Sequence, residues 1–74
     1  MENPNQIIKE ISKKYGITIE QLMGKDRSNW FVRARVEAIK RMRNELDLSF
    51  PDIGRYLGKR NHATIIYNYY KKNI

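Results

Sequence analysis

The 74-residue chain has no cysteine, so it holds neither a disulfide framework nor a cysteine-based zinc site, and its one histidine, His62, cannot build a metal site alone. No stretch approaches the roughly 18 apolar residues that a membrane span requires. The start, Met1-Glu2-Asn3-Pro4, lacks a basic segment followed by an apolar run. A cytoplasmic protein is therefore the expectation. There are two prolines and four glycines, with no repeat or low-complexity run, and they fall where helices should start or stop. No segment alternates convincingly as a strand. No carboxylate cluster suits a catalytic metal, which disfavours a nuclease, and no aromatic-bearing sheet is evident to stack single strands or RNA.

What remains is short and basic. The length allows one domain, residues 1–74, with one modest core, too little to wall off a deep active site. The expectation is a binding module without enzymatic activity or cofactor, of modest stability. The formal charge is +7, and its placement is uneven. Residues 1–24 balance three Lys against three Glu, whereas residues 25–74 carry twelve Lys and Arg against five Asp and Glu, so the whole excess falls there. Such asymmetry favours a polyanion partner, because each cation placed on a phosphate releases condensed counterions. A plain solvated basic surface is the alternative.

Helix punctuation is legible throughout. Asn3, Pro4 and Gln6 fit a cap, a first-turn proline and a capping partner; Ile7, Ile8, Ile11 and Tyr15 then recur at helical spacing up to Gly16. Thr18 and Gln21 repeat the capping-box spacing before Leu22, Met23 and Gly24, which predicts a helix of little more than one turn. Residues 25–29 read as a basic loop. A long helix follows from about Trp30 or Val32 to Leu46, with Val32, Val36, Ile39, Met42 and Leu46 inward and Arg33, Arg35, Lys40, Arg41 and Arg43 on the other faces. Ser49, Pro51 and Asp52 open a short helix with Ile53, Tyr56 and Leu57 inward; Gly58 ends it, and Asn61 caps a last helix with Ile65, Ile66 and Tyr69 buried.

Cap, short helix, glycine turn, cap and longer helix, over residues 49–73, form the pattern of a helix-turn-helix. In that arrangement the first helix and the turn brace the second, whose N-terminal side chains enter the major groove. Free backbone N–H groups near Phe50 and His62 are further candidates for phosphate contact. The fold expected is all-α with about five helices.

The residues also carry a family resemblance. Leu48-Ser49-Phe50-Pro51-Asp52-Ile53-Gly54, followed by Gly58-Lys59-Arg60-Asn61-His62-Ala63-Thr64-Ile65-Ile66, resembles the C-terminal DNA-binding domain of the bacterial replication initiator DnaA. Tyr15-Gly16-Ile17-Thr18, Leu22, the Lys25–Ser28 loop and Arg33-Ala34-Arg35 sit where that family has comparable pieces. The resemblance implies the Trp-repressor-like helical architecture of that domain. It implies double-stranded DNA as partner, in replication control or transcription regulation, with nucleoid association and a bacterial or phage source. It puts Arg27 into a minor groove beside the main site, with Lys25 and Ser28 in the same loop, and places Pro51 at the DNA edge. Asn61, His62, Ala63 and Thr64 fall on the family's Asp-His-Thr-Thr run, which reaches bases and phosphates, and only His62 and Thr64 are retained. Tyr67 replaces a histidine of the family pattern and has a hydroxyl to offer a phosphate. Lys59, Arg60, Arg33 and Arg35 complete the candidate contacts, the last two on phosphates.

The departures bear on specificity. An aspartate accepting from cytosine and an asparagine pairing with adenine place different demands on a base edge. The preferred site is therefore expected to differ from the family's usual nine-base box. No Gly-rich loop ending in Gly-Lys-Ser/Thr is present, so this chain alone is not an ATP-driven initiator. It reads as an excised domain or a free-standing relative.

Each candidate keeps a plainer alternative. His62 and Arg27 can be ordinary surface residues. Trp30 and Phe31 either fill the core, at least one of them, or present a patch for a protein partner or a homodimer. Tyr69 is expected in the core, with Tyr67 and Tyr70 left for DNA or solvent.

Overall fold

The computed structural model describes residues 3–25 and 28–70. Within them lie five helices and no strand: α1 (Pro4–Tyr15), α2 (Ile19–Met23), α3 (Asn29–Leu46), α4 (Phe50–Tyr56) and α5 (His62–Tyr70). No helix among the described residues is long and apolar enough to cross a membrane.

The caps act where the sequence places them. Asn3 Oδ1 accepts the Gln6 N–H at 2.9 Å, and Pro4 follows in the first turn of α1, where a missing N–H leaves no helical bond unmade. Gly16 ends α1 at φ 66°, a left-handed conformation that favours glycine. Thr18 and Gln21 form the reciprocal box that starts α2: Thr18 Oγ1 accepts the Gln21 N–H at 3.0 Å, and Gln21 Oε1 accepts the Thr18 N–H at 2.9 Å. Ser49 Oγ accepts the Asp52 N–H at 3.3 Å to open α4.

α3 is the central helix, packed by α1, α2, α4 and α5. Its Ala34, Ala38, Ile39 and Met42 meet Ile7, Ile8 and Ile11 of α1, Leu22 of α2, Ile53 and Leu57 around α4, and Ile65 of α5 in one buried cluster. Two alanines on α3 let its neighbours approach closely, while the isoleucines and Met42 fill the space between. α3 begins at Asn29, slightly before the expected start, with Ser28 at its N-cap position.

The aromatic expectations divide. Phe31 packs partly buried against the core, whereas Trp30 stays half exposed, edge-on to Tyr15 with ring centroids 4.9 Å apart. The Trp30 indole N–H donates to the Tyr15 carbonyl at 2.8 Å. Tyr69 lies partly buried, edge-on to Phe50 at 5.4 Å, and its hydroxyl donates to Asn44 Oδ1 at 2.7 Å. Tyr56 does not face inward; it is exposed. At 100° per residue it sits about 60° round the helix from Ile53, off the stripe that Ile53 and Leu57 share.

Candidate nucleic-acid interface

Between α4 and α5 the chain turns in very little space. The Arg60 N–H donates to the Gly54 carbonyl at 2.9 Å. A Cβ built on Gly54 would lie 2.3 Å from the Arg60 carbonyl oxygen, so glycine at this mid-helix position is what lets the turn close. Gly58 and Lys59 then take left-handed φ of 83° and 60°. The turn is pressed against the end of α2, since a Cβ on Gly58 would lie 2.9 Å from the Met23 carbonyl oxygen.

Held this way, α5 presents its start to solvent. Asn61, His62, Ala63 and Thr64 are all exposed, and Tyr67, one turn further on, is 66% exposed. Ile65 alone of this segment is fully buried and anchors the helix from behind. Asn61 caps the helix as well as facing outward: its Oδ1 accepts the Ala63 N–H at 2.7 Å. Its carbonyl takes the N–H groups of Thr64 at 3.0 Å and Ile65 at 3.2 Å. Those three amides are therefore engaged internally.

The candidate cations are not all in one place. Lys25, Lys59, Arg60, Asn61 and Thr64 line a single cleft of about 240 Å³ with Met23 and Gly58. The base of the basic loop thus stands beside the start of α5. Arg27 lies outside the described residues. Ser28 and Pro51 are exposed, at the N-cap of α3 and in the first turn of α4 respectively. Arg33 is exposed but lines a different groove, between α1 and α3, with Lys14, Tyr15 and Trp30.

Arg35 is a correction. It is 6% exposed, and its Nε donates to the Leu22 carbonyl at 2.7 Å while Nη2 reaches the Gln21 carbonyl at 3.1 Å. The end of α2 leaves carbonyls without helical donors, and a cation there also meets the negative end of the helix dipole. Both effects draw the side chain inward, away from any phosphate. Arg60 divides its role: Nη2 donates to the carbonyls of Met23, at 3.3 Å, and Gly24. Burial pushes its pKa down, and its Nε is buried without a partner among the described residues.

Sequence reasoning did not assign Gly54 its role, although a glycine inside a helix signals close backbone approach. Nor did it find the two arginines at the end of α2, because helical periodicity places a cation on a face without saying which neighbouring helix ends there.

A helix held start-outward by a tight glycine turn, with a basic cleft beside that start, defines a DNA-binding domain of the helix-turn-helix class. The chain belongs to the bacterial dnaA protein helix-turn-helix family, which matches it over residues 4–71. Among its relatives is the chromosomal replication initiator protein DnaA of Chloroflexus aggregans, 41% identical over 61 residues, 82% of this chain and 13% of the relative. That of Corynebacterium jeikeium is 36% identical over 64 residues, 86% of this chain and 11% of the relative. That of Gloeothece citriformis is 36% identical over 70 residues, 95% of this chain and 16% of the relative. The chain thus spans roughly a tenth to a sixth of the length of the initiators it matches.

Proposed function

We propose that this chain is a binding module rather than an enzyme and reads duplex DNA with sequence preference, in the control of replication or of transcription. α5 enters the major groove, and the basic loop carrying Lys25, Arg27 and Ser28 reaches the adjacent minor groove. The observation that carries this reading is the outward row Asn61, His62, Ala63 and Thr64 at the start of a helix braced from behind, with Lys25 and Lys59 beside it. Phosphate contacts supply affinity and base contacts supply preference, and this face holds side chains suited to both. Asn61 and Ala63 make the preferred site differ from that of relatives with aspartate and threonine there.

The test is selection of bound duplexes from a random library at two salt concentrations, with wild type, His62→Ala and Arg27→Ala in parallel. A short enriched motif, weakened by His62→Ala and trimmed at one flank by Arg27→Ala, is the expected result. Affinity should fall steeply with salt, with a logarithmic slope near −0.9 per phosphate neutralised. Absence of any enriched motif would reduce the face to an electrostatic tether.

One observation favours a second reading, that of an adaptor or dimerisation module. Trp30 is half exposed and fixed against Tyr15 in the groove between α1 and α3, which shares no lining residue with the cleft beside α5. A chain that stays monomeric and whose DNA affinity ignores Trp30→Ala would leave that groove without a role in assembly.

A further inference from the structure

An α-helix leaves its last carbonyls without intrahelical donors, and α2, five residues long, is nearly all helix end. Two arginines converge on it from different parts of the chain. Arg35 of α3 takes the carbonyls of Gln21 and Leu22, at 3.1 and 2.7 Å. Arg60, in the turn before α5, takes those of Met23, at 3.3 Å, and Gly24. Four consecutive carbonyls are thus held by two guanidiniums, and Gly58 packs its bare backbone onto the same Met23 carbonyl.

A helix this short does not hold its own direction, because nucleation is costly and each end frays. Its orientation comes from what grips it. The grip has a directional result: Lys25 emerges from the held end of α2 into the cleft that Asn61 and Thr64 of the α5 start also line.

We propose that Arg35 and Arg60 are positioning residues for DNA recognition, fixing the base of the basic loop against the start of α5 so that minor-groove and major-groove contacts engage as one unit. The inference rests on the minor-groove reading of that loop. Arg35 acts without touching DNA, since its guanidinium is spent on the Gln21 and Leu22 carbonyls inside the fold. Arg60 acts through the same carbonyl row, whatever its outer edge meets.

The test is a thermodynamic cycle on the full chain, with a duplex enriched in the selection as probe. Dissociation constants are measured for wild type, Arg27→Ala, Arg60→Met and the double variant, and the same set is built with Arg35→Lys, which keeps the charge but not the two-carbonyl fork. Circular dichroism confirms that each variant is folded at the working temperature. Arg60→Met and Arg35→Lys should each weaken binding about tenfold alone and less than about twofold when Arg27 is already alanine, since residues acting through one element are not additive. In the DNA-free protein both should speed amide exchange at Leu22 and Gly24, whose N–H groups are held by the Thr18 and Gln21 carbonyls. Equal losses in both Arg27 backgrounds, or unchanged exchange, would overturn the inference and leave the minor-groove reading standing. No loss from Arg27→Ala alone would remove that reading and the inference with it. Should Arg60→Met fail to fold, Arg60→Lys and the Arg35→Lys set decide the matter by the same criteria.

Discussion

Gly54→Ala sets two physical effects of opposite sign against each other. In an open helix interior the replacement stabilises by about 1 kcal/mol, because alanine loses less backbone entropy than glycine. At position 54 the new Cβ would lie 2.3 Å from the Arg60 carbonyl oxygen, against 3.4–4 Å for ordinary contact. The obstacle is backbone, so no side chain can swing aside; the α4–α5 turn must retreat by about 1 Å, and overpacking of this kind costs about 1–3 kcal/mol. The retreat also strains the bond from the Arg60 N–H to the Gly54 carbonyl, 2.9 Å long, worth about 1 kcal/mol. Steric and hydrogen-bond losses together outweigh the helix-propensity gain, leaving a net destabilisation of about 1–3 kcal/mol.

A domain of this size holds roughly 4–11 kcal/mol in all, so the loss is a substantial share. With a urea m-value near 1 kcal/mol/M, the midpoint of denaturation should fall by about 1–3 M. The shift of Arg60 and Asn61 should also weaken binding to a selected duplex under conditions where the variant remains folded. Gly16→Ala is the control. It meets nothing within 4 Å but must hold φ 66°, so it should lose about 1 kcal/mol of stability and no DNA affinity. A Gly54→Ala variant more stable than wild type, with unchanged affinity, would refute the close-approach argument.

Other expectations follow from single contacts. Asn61→Ala should lose about 1 kcal/mol of stability with the Ala63 cap, whereas Asn61→Asp should keep the cap, retain stability in urea and change the selected base. Asp47 ends α3 at φ 54°, where a carboxylate also meets the negative helix end; Asp47→Asn gives up only an exposed 3.8 Å ion pair with Arg43, so it should raise the thermal midpoint by the equivalent of about 0.5 kcal/mol. Burial opposes ionisation of Glu37, but hydrogen bonds from the Lys14 ammonium and the Tyr15 hydroxyl outweigh it and hold the pKa below the ordinary value. The folded state then binds fewer protons, so this stabilisation is present above the unfolded pKa of 4.5 and is lost as pH falls through the lower folded value; Glu37→Gln should flatten the acid limb of a urea-midpoint titration. Burial, then the hydrogen bond to Glu37, pushes the Tyr15 pKa up to about 12 from 10.0. Stability from its neutral hydroxyl is complete below pH 10.0 and is lost as pH rises toward about 12, a slope that Tyr15→Phe should remove.

The elements were legible because their boundaries are set by local chemistry. Asn3, Thr18, Ser49 and Asn61 each accept an amide two or three residues on, a requirement that can be read from residue type and spacing alone. Buried positions followed wherever a stripe is continuous, as along Val36, Ile39 and Met42. Tyr56 departed from its expected place because α4 is too short for a wide stripe, and its ring lies at the rim rather than in the core. Trp30 and Phe31 are adjacent in sequence and differ in fate because α1 offers one of them a carbonyl at 2.8 Å and the core offers the other a surface.

The site was legible in part, for a reason that Arg35 makes explicit. Sequence patterning distinguishes polar from apolar positions, and a guanidinium counts as polar whether it meets phosphate, water or an unpaired carbonyl. Arg33 and Arg35, two residues apart on one helix, look alike by that measure. One is exposed, and the other is held at 2.7 Å from Leu22 inside the fold. What separates them is the end of a five-residue helix packed against only one of the two, a fact of tertiary arrangement. The exposure of residues 61–64 is such a fact too, since His62 lies only about 60° round α5 from the buried Ile65 and is exposed because the start of the helix projects beyond the core. The outward start of α5 and the inward turn of Arg35 are thus both facts of tertiary arrangement, which residue type and spacing along one helix do not encode.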